Sequence, residues 1–277
     1  MEAHRTTVTV ESKDGMKLVA QRWSPPAGEV RARVLIVHGY ADHAERYREL
    51  ALVLAPRGLE VTAIDLRGHG ASPGRRGHVE SFAQYHDDVE AALATLPADR
   101  PRFVLGHSMG GLVCLGFVAT RAPKIAGLVV TNPYLALAMD PGPLKLFVGR
   151  IAARLAPTLA VPSGIPATGV SHDRAICEAY ERDPKVFKTA TAGWFREIQD
   201  EQLRVRALTS IEVPLLYVWS DADPIVSSAA NRELSSTITS PDKTVIERPG
   251  EFHEVLNETH RAELHARIGD WLLAHAQ

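Results

Sequence analysis

Apolar segments rich in β-branched residues recur along the chain between turn signals, and this alternation predicts its secondary structure. Eight such segments predict strands: Thr6–Glu11, Leu18–Trp23, Arg33–His38, Leu59–Ile64, Arg102–Gly106, Gly127–Thr131, Leu215–Trp219 and Lys243–Ile246. An Asp14-Gly15 pair between the first two favours a hairpin. The later segments are almost continuous runs of Val, Ile and Leu, which is typical of parallel strands buried on both faces.

Helical periodicity between these strands predicts the elements that cover the sheet. The segments with this periodicity are Glu45–Pro56, Ser81–Leu96, Met109–Arg121, Ser228–Thr239 and Glu258–Ala274. Strands that alternate with helices favour parallel pairing, because each crossover returns the chain to the same edge. The sequence therefore predicts an open, three-layered α/β fold with a mostly parallel sheet and an antiparallel start.

The alternation of strands and helices stops between Thr131 and Leu215, where about eighty residues contain no predicted strand. An insertion is therefore expected there. Its first part has apolar residues at helical spacing, namely Leu144, Phe147, Val148, Ile151 and Leu155. A stretch rich in Pro and Gly follows, and then a second helical segment over 174–182. The apolar face of the first helix has two interpretations: it packs onto the main domain, or it forms the underside of a lid.

The length and composition fit one globular domain that carries this insertion. The chain has 277 residues, of which 45% are apolar and 23% are charged, and a chain of this size buries one sizeable core. We expect residues 1–132 and 209–277 to form the core domain. Residues 133–208 are expected to form an inserted cap over it.

Charge, hydropathy and cysteine content exclude several classes of protein. A formal net charge of −2 provides no basic surface for a nucleic acid partner. No apolar run is long enough for a signal peptide or a spanning helix, so we expect a cytoplasmic protein, with transient association at a membrane surface left open. Two cysteines, Cys114 and Cys177, are too few for a disulfide framework and lack metal-ligand spacing. The oligomeric state is not predicted.

The segment Gly106-His107-Ser108-Met109-Gly110 is the strongest candidate for chemistry, because it lies between a predicted strand and a predicted helix. A serine at such a junction adopts a strained conformation that lifts its hydroxyl clear of the sheet, and small residues two positions away on either side permit the sharp turn. The Gly-x-Ser-x-Gly pattern occurs by chance in roughly one chain in ten of this length. Its position between a strand and a helix is therefore the evidence for the interpretation. We interpret Ser108 as a nucleophile.

A nucleophilic serine needs a base and an acid that orients the base, and both follow later in the chain. His253 lies after the last predicted strand, beyond a Pro-Gly turn. Asp223 and Asp221 compete for the acid, and Asp223 is favoured because Asp221 has the position of a turn residue that hydrogen-bonds backbone. Other histidines precede the serine, lie too close to it or fall within the insertion: His69, His78, His86, His107 and His172.

Two backbone N–H groups are needed to stabilise the oxyanion of a tetrahedral intermediate. The third predicted strand ends at His38-Gly39-Tyr40, and the N–H groups of Tyr40 and Met109 are the candidates. The alternative is that His38-Gly39 forms only a tight turn.

Four segments together resemble the monoacylglycerol lipase and lysophospholipase branch of the serine α/β-hydrolases. They are HGYADHAERY over 38–47, DLRGHGASPG over 65–74, GHSMGG over 106–111 and FHEVLNE over 252–258. The resemblance extends through almost the whole chain, and its order and spacing are more specific than any single motif.

This resemblance implies an α/β-hydrolase fold with an inserted helical cap. It implies that Ser108 is the nucleophile, that His253 is base and then acid, and that Asp223 orients His253. The N–H groups of Tyr40 and Met109 would form the oxyanion hole. Neither a metal nor an organic cofactor is implied.

The resemblance also indicates residues that contact substrate. Asp42 and Arg46 occupy positions that lie near the glycerol head group in the animal relatives, and the alternative for Arg46 is an ion pair with Glu45 or Glu49. The apolar cap positions are the candidates for lipid contact: Leu144, Phe147, Val148 and Ile151.

The leading hypothesis is hydrolysis of monoacylglycerol to fatty acid and glycerol through an acyl-enzyme on Ser108. The alternatives are a general carboxylesterase or lysophospholipase with the same machinery, and a binding protein that has lost the reaction. Two departures from the family leave the head group open: Tyr40 is bulkier than the residue common there, and Ser220 replaces a frequent Gly. Epoxide and haloalkane hydrolases are disfavoured because they use a carboxylate nucleophile.

Overall fold

The computed structural model describes residues 3–26, 29–139 and 142–276, and gives the backbone alone for residues 143–146 and 148. Its strands are β1 (His4–Glu11), β2 (Lys17–Ser24), β3 (Ala32–Val37), β4 (Leu59–Ile64), β5 (Arg102–His107), β6 (Gly127–Thr131), β7 (Ala160–Pro162), β8 (Thr189–Thr191), β9 (Leu215–Ser220) and β10 (Lys243–Arg248). Its α-helices are α1 (Arg48–Leu54), α2 (Ala83–Ala94), α3 (Met109–Arg121), α4 (Pro143–Leu155), α5 (Arg174–Arg182), α6 (Ala192–Arg206), α7 (Ser228–Thr237) and α8 (Arg261–Ala274).

Eight strands form the main sheet in the order β1-β2-β4-β3-β5-β6-β9-β10. The pairs β1–β2 and β2–β4 are antiparallel, and every other neighbouring pair in this sheet is parallel. The predicted eight strands and the antiparallel start are therefore confirmed.

Alternate residues of each central strand enter opposite halves of the core, as the pleat of a sheet requires. In β3, Leu35 and Val37 pack with α2, α3 and α6, whereas Val34 and Ile36 pack with α1 and α8. The three-layered arrangement predicted from the alternation of strands and helices is confirmed. The parallel strands bring their carboxyl ends to one edge, where β3, β5, β6 and β9 each lead into a loop of the candidate site.

Two helices differ from their predicted ranges: one is divided into three parts, and the other begins later. The first splits into a 3₁₀ turn at Ala44–Tyr47, then α1, then a second 3₁₀ turn at Ala55–Arg57. The last starts at Arg261 because the carboxylate of Glu258 is buried and accepts hydrogen bonds from the N–H groups of Phe252 and Thr259.

The expectation that no strand lies between Thr131 and Leu215 is wrong. Strands β7 and β8 pair antiparallel there, but each has only three residues, which is too short for a period-two pattern to be recognised. Helix α6 was also not predicted from the sequence. Its buried face includes Trp194, Ile198 and Val205, while charged residues occupy much of the rest of the helix.

The inserted elements are tied to the loops that end the parallel strands. The N–H of Thr191 donates to the carbonyl of Gly77 at 2.8 Å, and the N–H of Glu254 donates to the carbonyl of Val170 at 2.8 Å. The division into a core of 1–132 and 209–277 and a cap of 133–208 stays a prediction. None of the helices within the described ranges combines the length and apolar character needed to span a bilayer.

Candidate active site

Ser108 lies in the turn between β5 and α3, with φ 53° and ψ −119°. Positive φ is strained for a residue with a side chain. The glycines two positions before and after it allow this turn because they permit close backbone contacts. A Cβ added at Gly110 would lie 2.1 Å from the carbonyl oxygen of Val37, and one added at Gly106 would lie 2.4 Å from the carbonyl oxygen of Gly110. Only residues without a side chain fit at these two positions.

The structure brings Ser108, His253 and Asp223 into one hydrogen-bonded chain. His253 Nε2 lies 2.8 Å from Ser108 Oγ, and His253 Nδ1 lies 2.7 Å from Asp223 Oδ2. All three residues are buried. Because a carboxylate only accepts, the 2.7 Å contact places the proton on Nδ1 and leaves Nε2 free to accept the serine proton.

The second aspartate has a different position. Asp221 Oδ1 accepts the N–H of Gly250 at 2.7 Å and so ties the two loops together. Asp223 Oδ1 accepts the N–H groups of Ile225 and Val226 at 2.8 and 2.9 Å, which fixes its other oxygen toward His253. Of the two candidates for the acid, the structure brings Asp223 to the histidine.

The ionisation of His253 is set by two opposing influences. Burial lowers the pKa of His253, but the charge and hydrogen bond of Asp223 outweigh it, so the pKa lies above its ordinary value of 6.5. The neighbouring His107 ring lies 5.0 Å away, and burial together with His253 lowers the pKa of His107 to about 4. The two adjacent histidines therefore titrate in well-separated ranges.

The loop after β3 passes directly beside the serine. A Cβ added at Gly39 would lie 3.2 Å from Ser108 Cβ, which places the backbone leading into Tyr40 against the site. Met109 is the first residue of α3, so its N–H has no partner within the helix and lies at the positive end of the helix dipole. The predicted oxyanion donors thus flank Ser108 on two sides, and their role stays a prediction.

The side chain of Tyr40 contacts the inserted elements. Its hydroxyl donates to the carbonyl of Thr189 at 2.5 Å, and its ring packs against Trp194 with centroids 4.1 Å apart. Both partners lie in or beside β8 and α6.

A cavity of about 690 Å³ opens at Ser108 and His253. Its walls are mainly apolar and come from the loop after β6, the inserted elements and the segment after β9, with lining residues that include Tyr134, Leu159, Val161, Ile165, Phe195 and Ile225. Asp42 and Glu254 are acidic residues of the described wall. A cavity of this size and character suits a small amphiphile with one long apolar part.

Arg46 pairs with neither predicted partner. It forms a two-pronged ion pair with Glu254, with nitrogen–oxygen distances of 2.7 and 2.6 Å, and a 3.0 Å contact with Asp42. Burial raises the pKa of Asp42, but the Arg46 guanidinium holds it well below the usual range. Glu45 instead pairs with Lys185 and Arg5. The guanidinium of Arg46 is thus already engaged by two carboxylates.

Glu254 was not recognised as a site residue from the sequence. It directly follows His253, lines the cavity and lies 208 positions from its partner Arg46. Adjacency to the predicted base was the available signal, but no local pattern links residues so far apart in the chain.

The predicted lipid contacts of α4 fall partly on exposed residues and partly on side chains that the structure does not describe. Phe147 and Ile151 are 62% and 44% exposed and are not part of the cavity wall, to which α4 contributes Gly149 and Ala152. Residues three apart share a helix face, so the small residues turn inward and the larger ones outward. Phe147 and Ile151 therefore do not line the cavity, and contact of either residue with substrate stays a prediction. The side chains of Leu144 and Val148 lie outside the described residues.

Comparison with known proteins finds relatives that are named as lipases and as a phospholipase. It is 32% identical over 269 residues to the monoacylglycerol lipase of Mycolicibacterium smegmatis, which covers 94% of both proteins. It is 30% identical to the phospholipase YtpA of Bacillus subtilis, covering 87% of this chain and 95% of that protein. The crystal structure of the Paleococcus ferrophilus monoacylglycerol lipase superimposes with a TM-score of 0.84 at 28% identity, covering 99% of this chain and 100% of that chain.

These similarities confirm the α/β-hydrolase fold predicted from the sequence. The model of the Hydrolase_4 family, described as serine aminopeptidase S33, matches residues 28–260. The match includes the serine turn, both aspartates and the histidine loop. The chain therefore belongs to the Hydrolase_4 family of serine hydrolases.

Proposed function

We propose that the protein hydrolyses monoacylglycerols to fatty acid and glycerol. The observation that carries the proposal is the hydrogen-bonded chain of Ser108, His253 and Asp223 at the mouth of a mainly apolar cavity. A monoacylglycerol has one apolar chain and a small polar head, which matches this division of the site. The names of the Mycolicibacterium and Paleococcus relatives support the same substrate.

The geometry supports the following reaction. Ser108 Oγ attacks the ester carbonyl while His253 Nε2 takes its proton, and Asp223 stabilises the resulting imidazolium. The N–H groups of Tyr40 and Met109 donate to the oxyanion. Glycerol leaves with the proton from His253, and a water activated by the same nitrogen then releases the fatty acid. Each step transfers protons through one histidine, and no cofactor is needed.

The polar wall of the cavity favours a neutral polyol head. Asp42 and Glu254 line the cavity there, and both form ion pairs with Arg46, which is not one of the described lining residues. Glycerol hydroxyls donate hydrogen bonds to carboxylates, whereas a phosphate group is repelled by them. The phospholipase YtpA relative nevertheless makes a lysophospholipid the second candidate substrate.

A release assay tests the substrate. It compares a long-chain monoacylglycerol, the matching diacylglycerol, lysophosphatidylcholine and a short p-nitrophenyl ester, with Ser108→Ala protein as the blank. We expect the monoacylglycerol to give the highest kcat/KM. Preference for lysophosphatidylcholine would support the phospholipase alternative, and activity on the short ester alone would leave a carboxylesterase.

The pH dependence should report the pKa of His253. The base must be neutral, so kcat/KM is lost as pH falls through the raised pKa of His253 and rises to a plateau above it. We expect the acidic limb, measured with the short ester between about pH 4 and 9, to have its midpoint above the ordinary histidine value of 6.5. A midpoint near 4 would contradict this and point to His107 as the titrating group.

We also propose that α4 rests reversibly on lipid surfaces. Its exposed apolar residues Phe147, Ile151 and Leu155 accompany exposed Arg150 and Arg154, a combination suited to the boundary between acyl chains and head groups. Contact there would deliver a membrane-dissolved substrate to the cavity. A cytoplasmic location stays a prediction.

Phe147→Asp should weaken this association. Loss of an aromatic ring that enters the lipid, together with an added charge, lowers partitioning onto liposomes by at least about tenfold. Flotation with anionic liposomes measures the effect, and Val245→Asp, which changes an exposed valine of β10, is the control that should float as well as wild type. Equal flotation of Phe147→Asp and wild type would contradict the proposed contact.

A further inference from the structure

The segment that follows β6 contacts the backbone of the candidate nucleophile. The N–H of Ser108 donates to the carbonyl of Thr131 at 2.9 Å, and the N–H of Tyr134 donates to the carbonyl of Ser108 at 2.9 Å. The serine turn is therefore held from both sides by residues 131–134.

Asn132, in the middle of that segment, connects the same backbone to the loops of the acid and the base. Its side-chain Oδ1 accepts the N–H of Ser220 at 2.8 Å, and its Nδ2 donates to the carbonyl of His253 at 2.7 Å. Its own N–H donates to the carbonyl of Val218 at 2.9 Å. Asn132 is 1% exposed, so all these bonds are shielded from water.

The backbone at Asn132 is in the left-handed region, with φ 40°. Asn is among the few residues with a side chain that adopt this region readily. Its amide also supplies an acceptor and a donor on a short stem, which the two loops require at once. Asp would present a second acceptor to the carbonyl of His253, and Gly would keep the conformation but lose both side-chain bonds.

Two neighbouring contacts keep the two loops side by side without involving His253, whose ring meets the acid loop through Asp223. Ser220 Oγ donates to the carbonyl of Glu251, and Asp221 Oδ1 accepts the N–H of Gly250. Asn132 adds the bond to the histidine residue itself and the connection to the serine turn.

We propose, on the basis of the proposed function, that Asn132 is a positioning residue that holds His253 in register with Ser108 and Asp223. A catalytic group must be held within about 0.5 Å of its productive position, and a misplacement of about 1 Å costs on the order of 100-fold in rate. The amide of Asn132 supplies this restraint through the carbonyl of His253. It touches no reacting atom.

The test uses Asn132→Gly in the full chain. We expect kcat for the short p-nitrophenyl ester to fall about 10- to 100-fold while KM changes by less than about twofold, because binding is retained and alignment is lost. Gln21→Ala is the matched control. Gln21 is also a buried amide, with bonds to Arg5 and Thr7 of β1, and it lies on β2 away from both loops. It should cost stability and leave kcat within about twofold.

The pH at which kcat/KM falls on the acidic side of the profile, the acidic limb, distinguishes a positioning role of Asn132 from a general loss of structure. Asp42, Glu254, Asp223 and His107 are the titratable groups that act on His253, and Asp223 gives the largest favourable contribution to its protonated form. A looser contact with Asp223 lowers the pKa of His253, so the limb of Asn132→Gly should move to lower pH. Simple unfolding reduces the active fraction and does not move the limb.

Asn132→Asp is the second variant. It retains the acceptor for Ser220 and puts a carboxylate oxygen against the carbonyl of His253, so we expect kcat no higher than that of Asn132→Gly. A kcat within about twofold of wild type in both variants, an unmoved limb, or a loss confined to KM would overturn the proposal. If the wild-type protein cleaves the short ester but no monoacylglycerol, the proposal of a monoacylglycerol substrate is wrong. The test of Asn132 still applies in that case, because it uses the short ester.

Discussion

Ser108→Ala abolishes turnover, with an expected loss of at least about 10⁴-fold in kcat and no loss of the fold. The hydroxyl oxygen is the atom that forms the acyl-enzyme, and no other group at the described site can replace it. The methyl side chain is compatible with the same strained turn, so circular dichroism and thermal unfolding should remain close to wild type. Hydrolysis of a long-chain monoacylglycerol and of the short ester measures the loss.

The control for this variant is Ser236→Ala. Ser236 is exposed on α7, and its hydroxyl donates to the carbonyl of Glu233. It should retain full activity. Substantial turnover by folded Ser108→Ala would contradict the assignment of the nucleophile.

Asp223→Asn has the second-largest expected effect, a loss of about 10⁴-fold in kcat. The N–H groups of Ile225 and Val226 both need an acceptor, so the amide oxygen of the new asparagine faces them. Its NH₂ group then faces His253 Nδ1, which must act as acceptor. The proton moves to Nε2, and the histidine can no longer take the proton of Ser108.

Asp221→Asn is the matched control for the acid. Its amide oxygen can still accept the N–H of Gly250, and it does not contact His253. Activity within about twofold of wild type is expected. If Asp221→Asn is inactive while Asp223→Asn is active, the assignment of the acid is reversed.

The sheet and the meeting of Ser108, Asp223 and His253 could be predicted because both depend on local patterns. Buried parallel strands are recognisable as Val, Ile and Leu runs, and their carboxyl ends meet at one edge. Residues placed just after such strands are therefore neighbours, however far apart they are in the chain. The gap of 115 residues between Ser108 and Asp223 is bridged in this way.

The partner of Arg46 could not be predicted from the sequence. Glu45 and Glu49 are close in the chain, but the 3₁₀ turn before α1 directs the guanidinium away from them and toward the loop of His253. The choice among several available carboxylates depends on how two distant loops pack. Helical periodicity alone does not specify that packing.

The orientation of α4 could not be predicted from the sequence pattern either. The apolar residues Phe147, Ile151 and Leu155 predicted an inward face, yet Gly149 and Ala152 line the cavity. Small residues leave space for a ligand, and an apolar stripe suits a lipid surface as well as a protein core. Periodicity identifies the stripe but not what it contacts.

The most direct test of the central claim is to locate the residue that an alkyl fluorophosphonate modifies. Trypsin releases Ser108 in one peptide that extends from Phe103 to Arg121. Mass spectrometry should find one phosphonyl group per chain, on Ser108 in this peptide, with labelling slowed by a long-chain monoacylglycerol. Absence of labelling, or labelling at another residue with Ser108 unmodified, would contradict the account of a Ser108 hydrolase.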